Sequence, residues 1–221
     1  MLETWPFALI TLLQFINEIL TAGIAITAIA LLLYALAFNL RDRVARSFAL
    51  ILLCVVIVFT ADTIGSTSLK PDEIELWLRI QWVGIIILPA TYLHFSDALL
   101  ATTGKPSRGK RRWAIRFSYL VSAVFLLLLP DDKLLGALQL VDSPAPFLQR
   151  TYLADLFTIY YVLLMGLSWY NFIRAYRRTT TSTSQRRMLY LITGALAPAL
   201  GSFPFLLFSS AFASQHQLLF W

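Results

Sequence analysis

The residues of this sequence that could do chemistry are a few ionisable side chains within long apolar stretches. His94 and Asp97 stand three residues apart, so on a helix they would share one face. They could pair with each other or with a basic loop residue such as Arg46. Such a pair could act as a switch, or as the acid and the base of an intramembrane enzyme that modifies lipid. The structural alternative is a histidine at a helix end beside a carboxylate near water.

A second set of candidates lies towards the opposite ends of the predicted helices. About 20 residues outward from the inner end of each helix, polar side chains from four helices fall at one outer level. These side chains are Glu18, Asp62, Arg79, Gln81 and Asp155, with Trp82 as a residue that could line a pocket among them. With three carboxylates and one arginine, such a pocket would favour a polar or cationic ligand. Asp62 and Arg79 could pair as acid and base. The alternative is that each side chain simply extends to headgroups or water.

The sequence lacks the residues that several other kinds of chemistry require. There is no Gly-x-Gly turn and no Walker-type phosphate loop. The two histidines, His94 and His216, fall on opposite sides of the membrane in the topology that the loops indicate, so they cannot share a zinc ion. All four lysines lie in loops, so none in the visible spans could form a Schiff base with a retinal-like cofactor, although a seventh helix could hold one. We therefore expect no catalytic residue, no metal and no cofactor in this chain.

The elements that position these candidates must be membrane-spanning helices. Hydrophobic residues make up 58% of the 221 residues and charged residues 14%, and a soluble protein of this size cannot cover so much apolar surface. Six stretches are long and apolar enough to cross a bilayer, and each must be helical because lipid offers no partners to backbone groups. The predicted spans are residues 7–38, 47–66, 76–100, 113–129, 152–173 and 188–212.

The fold class that follows is all-α, a polytopic membrane helix bundle in one domain, residues 1–221. The apolar residues 218–221 come after a polar turn and indicate the start of a possible seventh helix. We expect that the chain is truncated before or at that helix. Residues 130–150, which contain prolines and an apolar middle, should fold over the outer mouth as a short hairpin or an interfacial helix.

Charge in the connections predicts the orientation. The first, third and fifth connections carry three, six and five of the 18 basic residues, whereas the even-numbered connections are mainly acidic. The positive-inside rule therefore places the odd-numbered connections in the cytoplasm and the N-terminus outside. Anionic lipid, rather than nucleic acid, explains the net charge of +6.

Prolines mark candidate hinges, because a proline inside a helix removes a backbone donor and kinks the helix. Pro89 lies in the third predicted helix, and Pro198 and Pro204 lie in the sixth, beside Gly194 and Gly201. Two breaks close together could let the sixth helix bend. The alternative is that glycine and proline are ordinary constituents of membrane helices.

One part of the third helix carries a family resemblance. Residues 76–84, LWLRIQWVG, are followed by residues 88–96, LPATYLHFS, and the sixth helix opens with residues 186–190, RRMLY. This arrangement, R-x-Q-W-x-G and then a proline and L-H-F, resembles the N-terminal seven-helix region of bacterial sensor histidine kinases.

The resemblance implies a sensor in the bacterial inner membrane that detects an external or membrane-borne signal. It would relay that signal through a seventh helix to a cytoplasmic output module of the same parent chain, often a kinase. This chain itself should not be an enzyme, because no phosphoacceptor element follows the spans. Its expected partners are membrane lipids, an unknown small-molecule or membrane-borne signal and a possible second copy, with no nucleic acid. The alternatives are a small-molecule or lipid transporter and an intramembrane lipid-modifying enzyme.

Overall fold

The computed structural model describes residues 4–38, 41–104, 109–139, 146–179 and 181–201. In these residues the chain forms six helices and one two-stranded antiparallel sheet. The helices are α1 (Thr4–Phe38), α2 (Arg43–Thr67), α3 (Pro71–Thr102), α4 (Lys110–Leu128), α5 (Tyr152–Tyr176) and α6 (Ser182–Gly201). The strands are β1 (Leu135–Gln139) and β2 (Phe147–Arg150). The predicted helical fold class is confirmed.

Four of the described helices are long and apolar enough to cross a membrane. They are Phe15–Phe38 within α1, and the whole of α2, α3 and α5. The helix α4 begins with the basic residues Lys110, Arg111 and Arg112, which shorten its apolar part. The helix α6 begins at Ser182, six residues before the predicted span, so Arg186 and Arg187 lie inside it. Residues 202–221, with the predicted outer end of the sixth span and the possible seventh helix, lie outside the described residues.

Local signals explain where several helices begin. Asp42 caps α2 by accepting hydrogen bonds from the backbone amides of Val44 and Ala45, which would otherwise lack partners. Thr151 caps α5 in the same way through the amide of Ala154. The helix α3 begins at Pro71. Proline suits the first turn of a helix because it has no backbone N–H that would need a hydrogen-bond acceptor.

The helix α3 is the centre of the bundle. It packs against α2, α4 and α5, while α1 lies against α2, and α6 against α5. Nearly every residue of α3 from Gly84 to Leu100 is buried. The side chains of Tyr92 and Phe95 join Phe157 and Phe172 of α5 among the largest fully buried groups. Large apolar side chains on the outward faces of α1, α4 and α5 are exposed, as expected for surfaces that contact lipid.

The connection between α4 and α5 is a β-hairpin, not an interfacial helix. Strands β1 and β2 pair with Leu138 opposite Leu148. Leu135, the first residue of β1, and Leu134 directly before it are buried. The Thr151 hydroxyl donates a hydrogen bond of 2.5 Å to the carbonyl of Leu134, so the hairpin is attached to the first turn of α5.

Candidate functional site

The described polar residues within the bundle lie towards its two ends. We call the end that carries Arg43, Arg111 and Arg187 the basic end, and the end that carries Glu75 and Asp132 the acidic end. Because α3 runs the full length of the bundle, it contributes residues to both.

At the acidic end, Asp62 of α2 contacts Gln81 of α3. The Gln81 amide nitrogen donates a hydrogen bond of 3.2 Å to Oδ1 of Asp62, and both residues are half-buried. A hydrogen bond to an amide partly satisfies the carboxylate and joins the two helices. Two of the predicted outer residues are thus brought together.

Arg79 does not pair with Asp62, and the expected ion pair between them is wrong. The Arg79 guanidinium instead contacts Glu75 Oε1, at 3.1 Å from Nε and 2.7 Å from Nη2. It also forms an ion pair with Asp132 and donates a hydrogen bond of 2.8 Å to the carbonyl of Leu129. Glu75 lies one helical turn before Arg79, and the connection after α4 folds over it, so these partners are closer. Arg79 therefore attaches that connection to α3.

The other predicted outer residues lie in separate surroundings. Asp155 is in the first turn of α5 and pairs with Arg150 at the end of β2. Glu18 is exposed on α1. The Trp82 ring packs edge-on against Phe157, with the ring centroids 5.8 Å apart. In the connection after α4, a hydrogen bond from Lys133 holds the pKa of the exposed Asp131 carboxyl below its usual value. A ligand role for the outer residues stays a prediction.

At the basic end, Asp97 of α3 is the most deeply buried acid among the described residues, with 1% of its surface exposed. Nη2 of Arg43, in the first turn of α2, lies 3.0 Å from its Oδ2. Arg111, in the first turn of α4, forms an ion pair with Oδ1. Two arginines from different helices thus compensate one buried carboxylate, which would otherwise be costly.

His94 does not pair with Asp97, and Arg46 is not among the ion-pair partners of Asp97 in the described residues. Nδ1 of His94 lies 3.3 Å from the hydroxyl of Tyr119 on α4. The two rings are nearly perpendicular, with their centroids 6.0 Å apart. Residues three apart on a helix diverge by about 60°, which is enough here to direct them to different partners. The sequence prediction included a basic loop residue as a possible partner, and Asp97 does pair with two such residues, Arg43 and Arg111. Arg46, the residue that it named, is not one of them.

Polar contacts between the helices extend from α3 into α4 and α5. The Ser122 hydroxyl of α4 donates a hydrogen bond of 2.8 Å to the carbonyl of Ile86, and the Tyr160 hydroxyl of α5 donates one of 2.7 Å to the carbonyl of Ser118. Nearer the basic end, the Asn171 amide donates to the Ser96 hydroxyl at 3.1 Å. None of these partners stood out in the sequence, because single serines and tyrosines are common in membrane helices.

The prolines are placed differently. Pro89 is buried within α3, which remains helical across it. Pro198 lies in α6, three residues before the end of the described helix. Pro204 lies outside the described residues. Among the described residues, no group of three histidine, cysteine, aspartate or glutamate side chains could hold a metal ion.

The motif residues of α3 contact three different neighbours. Arg79 holds the connection after α4, Gln81 bonds to α2, and Trp82 packs on α5. Gly84 meets α2 so closely that a Cβ atom there would lie 2.8 Å from the carbonyl oxygen of Cys54. The motif is thus a set of contacts that fixes α3 in the centre of the bundle.

Comparison with known proteins identifies the family of this chain. A family model described as the N-terminal 7TM region of histidine kinase matches residues 20–218, which include all of α2 to α6 and most of α1. No curated protein and no solved structure matches the chain. Because the family match extends over most of the 221 residues, the chain belongs to the family of N-terminal 7TM regions of histidine kinases.

Proposed function

We propose that this chain is the sensory region of a bacterial histidine kinase and relays a signal across the inner membrane by movement of α3. Its N-terminus and acidic end lie outside, and its basic end lies in the cytoplasm. The signal is an external small molecule or a membrane-borne compound. The output is a cytoplasmic module, a histidine kinase, in the same parent chain, and phosphoryl transfer belongs to that module.

The observation that carries this proposal is that α3 is bound by charge at both ends. Arg79 joins it to the connection after α4 at the acidic end, and Asp97 joins it to α2 and α4 at the basic end. These two residues are 18 positions apart, which is about 27 Å along a helix axis. A shift of α3 at one end would therefore change ion pairs at the other, as a discrete rearrangement of packed helices requires.

The input site of this proposal is the acidic end. The residues proposed to bind or sense the ligand are Glu18, Asp62, Arg79, Gln81, Trp82 and Asp155. The contacts of Asp62 with Gln81 and of Arg79 with Asp132 support this assignment, because a polar or cationic ligand could exchange with them. Their rearrangement would release or tighten the connection after α4.

The relay part of the proposal rests on the basic end and the prolines. His94 and Asp97 link α3 to α4, and Pro89, Pro198 and Pro204 supply positions where a helix can bend. Membrane lipids surround the exposed apolar faces, and a second copy of the chain would bring two output modules together. The relay ends where the seventh helix of the parent protein would enter the cytoplasm.

The test uses the complete parent protein reconstituted in vesicles. Asp97→Asn should change basal autophosphorylation by roughly fivefold or more, in the range of ordinary allosteric coupling. Asp131→Asn is the matched control, because this carboxylate is exposed and pairs only with a neighbouring lysine in the described residues. Equal basal and stimulated autophosphorylation in wild type and Asp97→Asn, at equal membrane abundance, would contradict the relay.

A further inference from the structure

A cavity of about 550 Å³ opens at the basic end between α2, α3, α6 and the segment that joins α5 to α6. Its α6 wall consists of Ser184, Arg187, Met188 and Leu191. These residues follow the spacing of one helix face. Their order places polar groups at the mouth and apolar groups deeper along the helix, so the wall changes from polar to apolar in the direction of the membrane.

The opposite wall of the cavity also contains both polar and apolar residues. Leu99 and the hydroxyl residues Thr102 and Thr103 come from the end of α3, and Val44 comes from the start of α2. Arg178, directly after α5, completes the mouth. The Thr102 and Thr103 hydroxyls donate to the backbone carbonyls of Leu99 and Leu100. The cavity therefore offers guanidinium groups as its charged donors, beside apolar side chains that lie nearer the membrane.

The side chains that line the cavity carry a net positive charge, because two arginines, Arg178 and Arg187, outnumber one carboxylate, Asp42. Neither Arg178 nor Arg187 forms an ion pair with a described carboxylate. Asp42 is the one acidic lining residue. Its two oxygens accept hydrogen bonds from the amides of Val44 and Ala45, at 3.2 and 3.4 Å, so it is directed at the α2 backbone. Two arginines free to bind an anion suit a phosphate group, whose oxygens match the guanidinium fork.

We propose that this cavity is a binding site for the phosphate group of an anionic phospholipid. The phosphate lies between Arg178 and Arg187, and an acyl chain follows Met188 and Leu191 along α6. A free phosphate anion would use the same arginines but would leave the apolar wall without a partner, so the gradient of polarity favours the lipid. The site goes beyond signal sensing and does not require it.

The test is native mass spectrometry of the purified chain in detergent, with phosphatidylglycerol or phosphatidylcholine of identical acyl chains as the probe. Wild type should retain phosphatidylglycerol in preference to phosphatidylcholine. Arg178→Gln/Arg187→Gln should lower the apparent affinity for phosphatidylglycerol on the order of tenfold or more, since each arginine contributes separately.

The matched control is Arg177→Gln/Arg186→Gln. These arginines are the exposed neighbours of the two lining arginines and do not line the cavity, so this variant removes the same charge from the same segment. It should bind phosphatidylglycerol like wild type. Equal loss in the two variants would mean that general surface charge attracts the lipid, and the site would be refuted. Arg178→Lys/Arg187→Lys, which keeps the charge, should retain part of the binding.

A second experiment distinguishes the phosphate group of a lipid from a free phosphate anion. Inorganic phosphate added in excess should not displace phosphatidylglycerol if the acyl chain contributes to binding. Displacement that depends on Arg178 and Arg187 would assign the site to a soluble phosphate anion and overturn the lipid. Absence of any preference for phosphatidylglycerol in wild type, with its helical circular dichroism intact, would overturn the proposal altogether.

Discussion

The Cα atom of Gly84 on α3 lies so close to α2 that a Cβ atom would approach the carbonyl oxygen of Cys54 to 2.8 Å. The same Cβ atom would lie 2.7 Å from Cγ2 of Val58. The first contact involves backbone, which cannot turn aside as a flexible side chain can. Glycine at this position therefore allows α2 and α3 to approach each other closely.

We predict that Gly84→Ala destabilises the protein by about 1–3 kcal/mol, the usual cost of adding a methyl group to a close-packed interface. The measurement is the unfolding free energy in mixed micelles as denaturing detergent is added. Gly166→Ala is the control, because a Cβ atom at Gly166 on α5 would meet nothing within 4 Å. A Gly84→Ala protein as stable as the Gly166→Ala protein would show that α2 and α3 separate without cost.

The second prediction concerns the charges around Asp97. Replacing both Arg43 and Arg111 by glutamine leaves a buried carboxylate without its ionic partners, which should cost about 3–5 kcal/mol. Adding Asp97→Asn to that double variant removes the buried charge, so the triple variant should be more stable than the double variant. Unfolding in mixed micelles measures both.

The test is whether the triple variant is more stable or less stable than the double variant. Asp97 is almost fully buried, whereas 39% and 29% of the Arg43 and Arg111 side chains are exposed. The arginines can reach water if they lose their partner, and the aspartate cannot. If the triple variant were less stable than the double variant, the carboxylate would have to have other partners.

The sequence was sufficient to predict the helices but not the residue pairs that join one helix to another. The apolar runs and their flanking charges located all six helices, and the start of α5 at Tyr152 agrees with the predicted residue. Asp97 was recognised as a candidate because an acid in an apolar run is costly. Its partners, Arg43 and Arg111, are 54 and 14 residues away in the chain. Helical spacing predicts which face a residue occupies and leaves open which helix faces it.

The same reasoning explains the two alternatives for the connection after α4. A short apolar run such as the middle of residues 130–150 suits a strand or a helix about equally, because it is too short to show a period. The hairpin forms because β1 pairs with β2 and because Leu134 and Leu135 are buried. These are tertiary contacts, which the run itself does not encode.

The third prediction is the orientation of the chain. Reporter fusions after Asn39, Gly104 and Thr181 should report the cytoplasm, and fusions after Lys70 and Leu138 should report the outside. The physical reason is that basic connections are retained on the cytoplasmic side during insertion. Alkaline phosphatase and a fluorescent protein provide complementary readouts at each site. A reversed pair at any connection would refute the topology.

The fourth prediction compares two residues of the acidic end in the complete parent protein. Arg79→Gln should shift basal autophosphorylation more than Asp62→Asn does. Arg79 holds Glu75, Asp132 and the Leu129 carbonyl, and glutamine cannot keep all three contacts. Asparagine at position 62 still offers an oxygen to Gln81.

The control for that comparison is Lys133→Gln, which breaks an exposed ion pair with Asp131 in the same connection. It should leave basal autophosphorylation unchanged, because exposed pairs contribute little. If Arg79→Gln and Asp62→Asn also had no effect, with or without stimulus, the polar residues of the acidic end would serve only the membrane interface.

The last prediction concerns bending of α6. Pro198 lies inside the described helix, so the backbone carbonyl of residue 194, one turn earlier, lacks its usual helical donor. Residue 194 is itself a glycine, which adds backbone freedom at that turn. The helix α6 packs against α5 at the edge of the bundle. Bending at this turn would move the inner end of α6, with Arg186 and Arg187.

We therefore predict that Pro198→Ala, which supplies the missing backbone donor, stiffens α6 and shifts basal autophosphorylation of the complete protein while insertion and abundance stay at wild-type levels. Pro204→Ala tests the second proline of the sixth predicted span in the same way. The measurement is basal and stimulated autophosphorylation at equal membrane abundance. Pro89→Ala is measured beside them, and because Pro89 is buried among packed neighbours this replacement should also lower the free energy of unfolding. Unchanged output in both Pro198→Ala and Pro204→Ala would mean that these prolines contribute to packing and take no part in the relay.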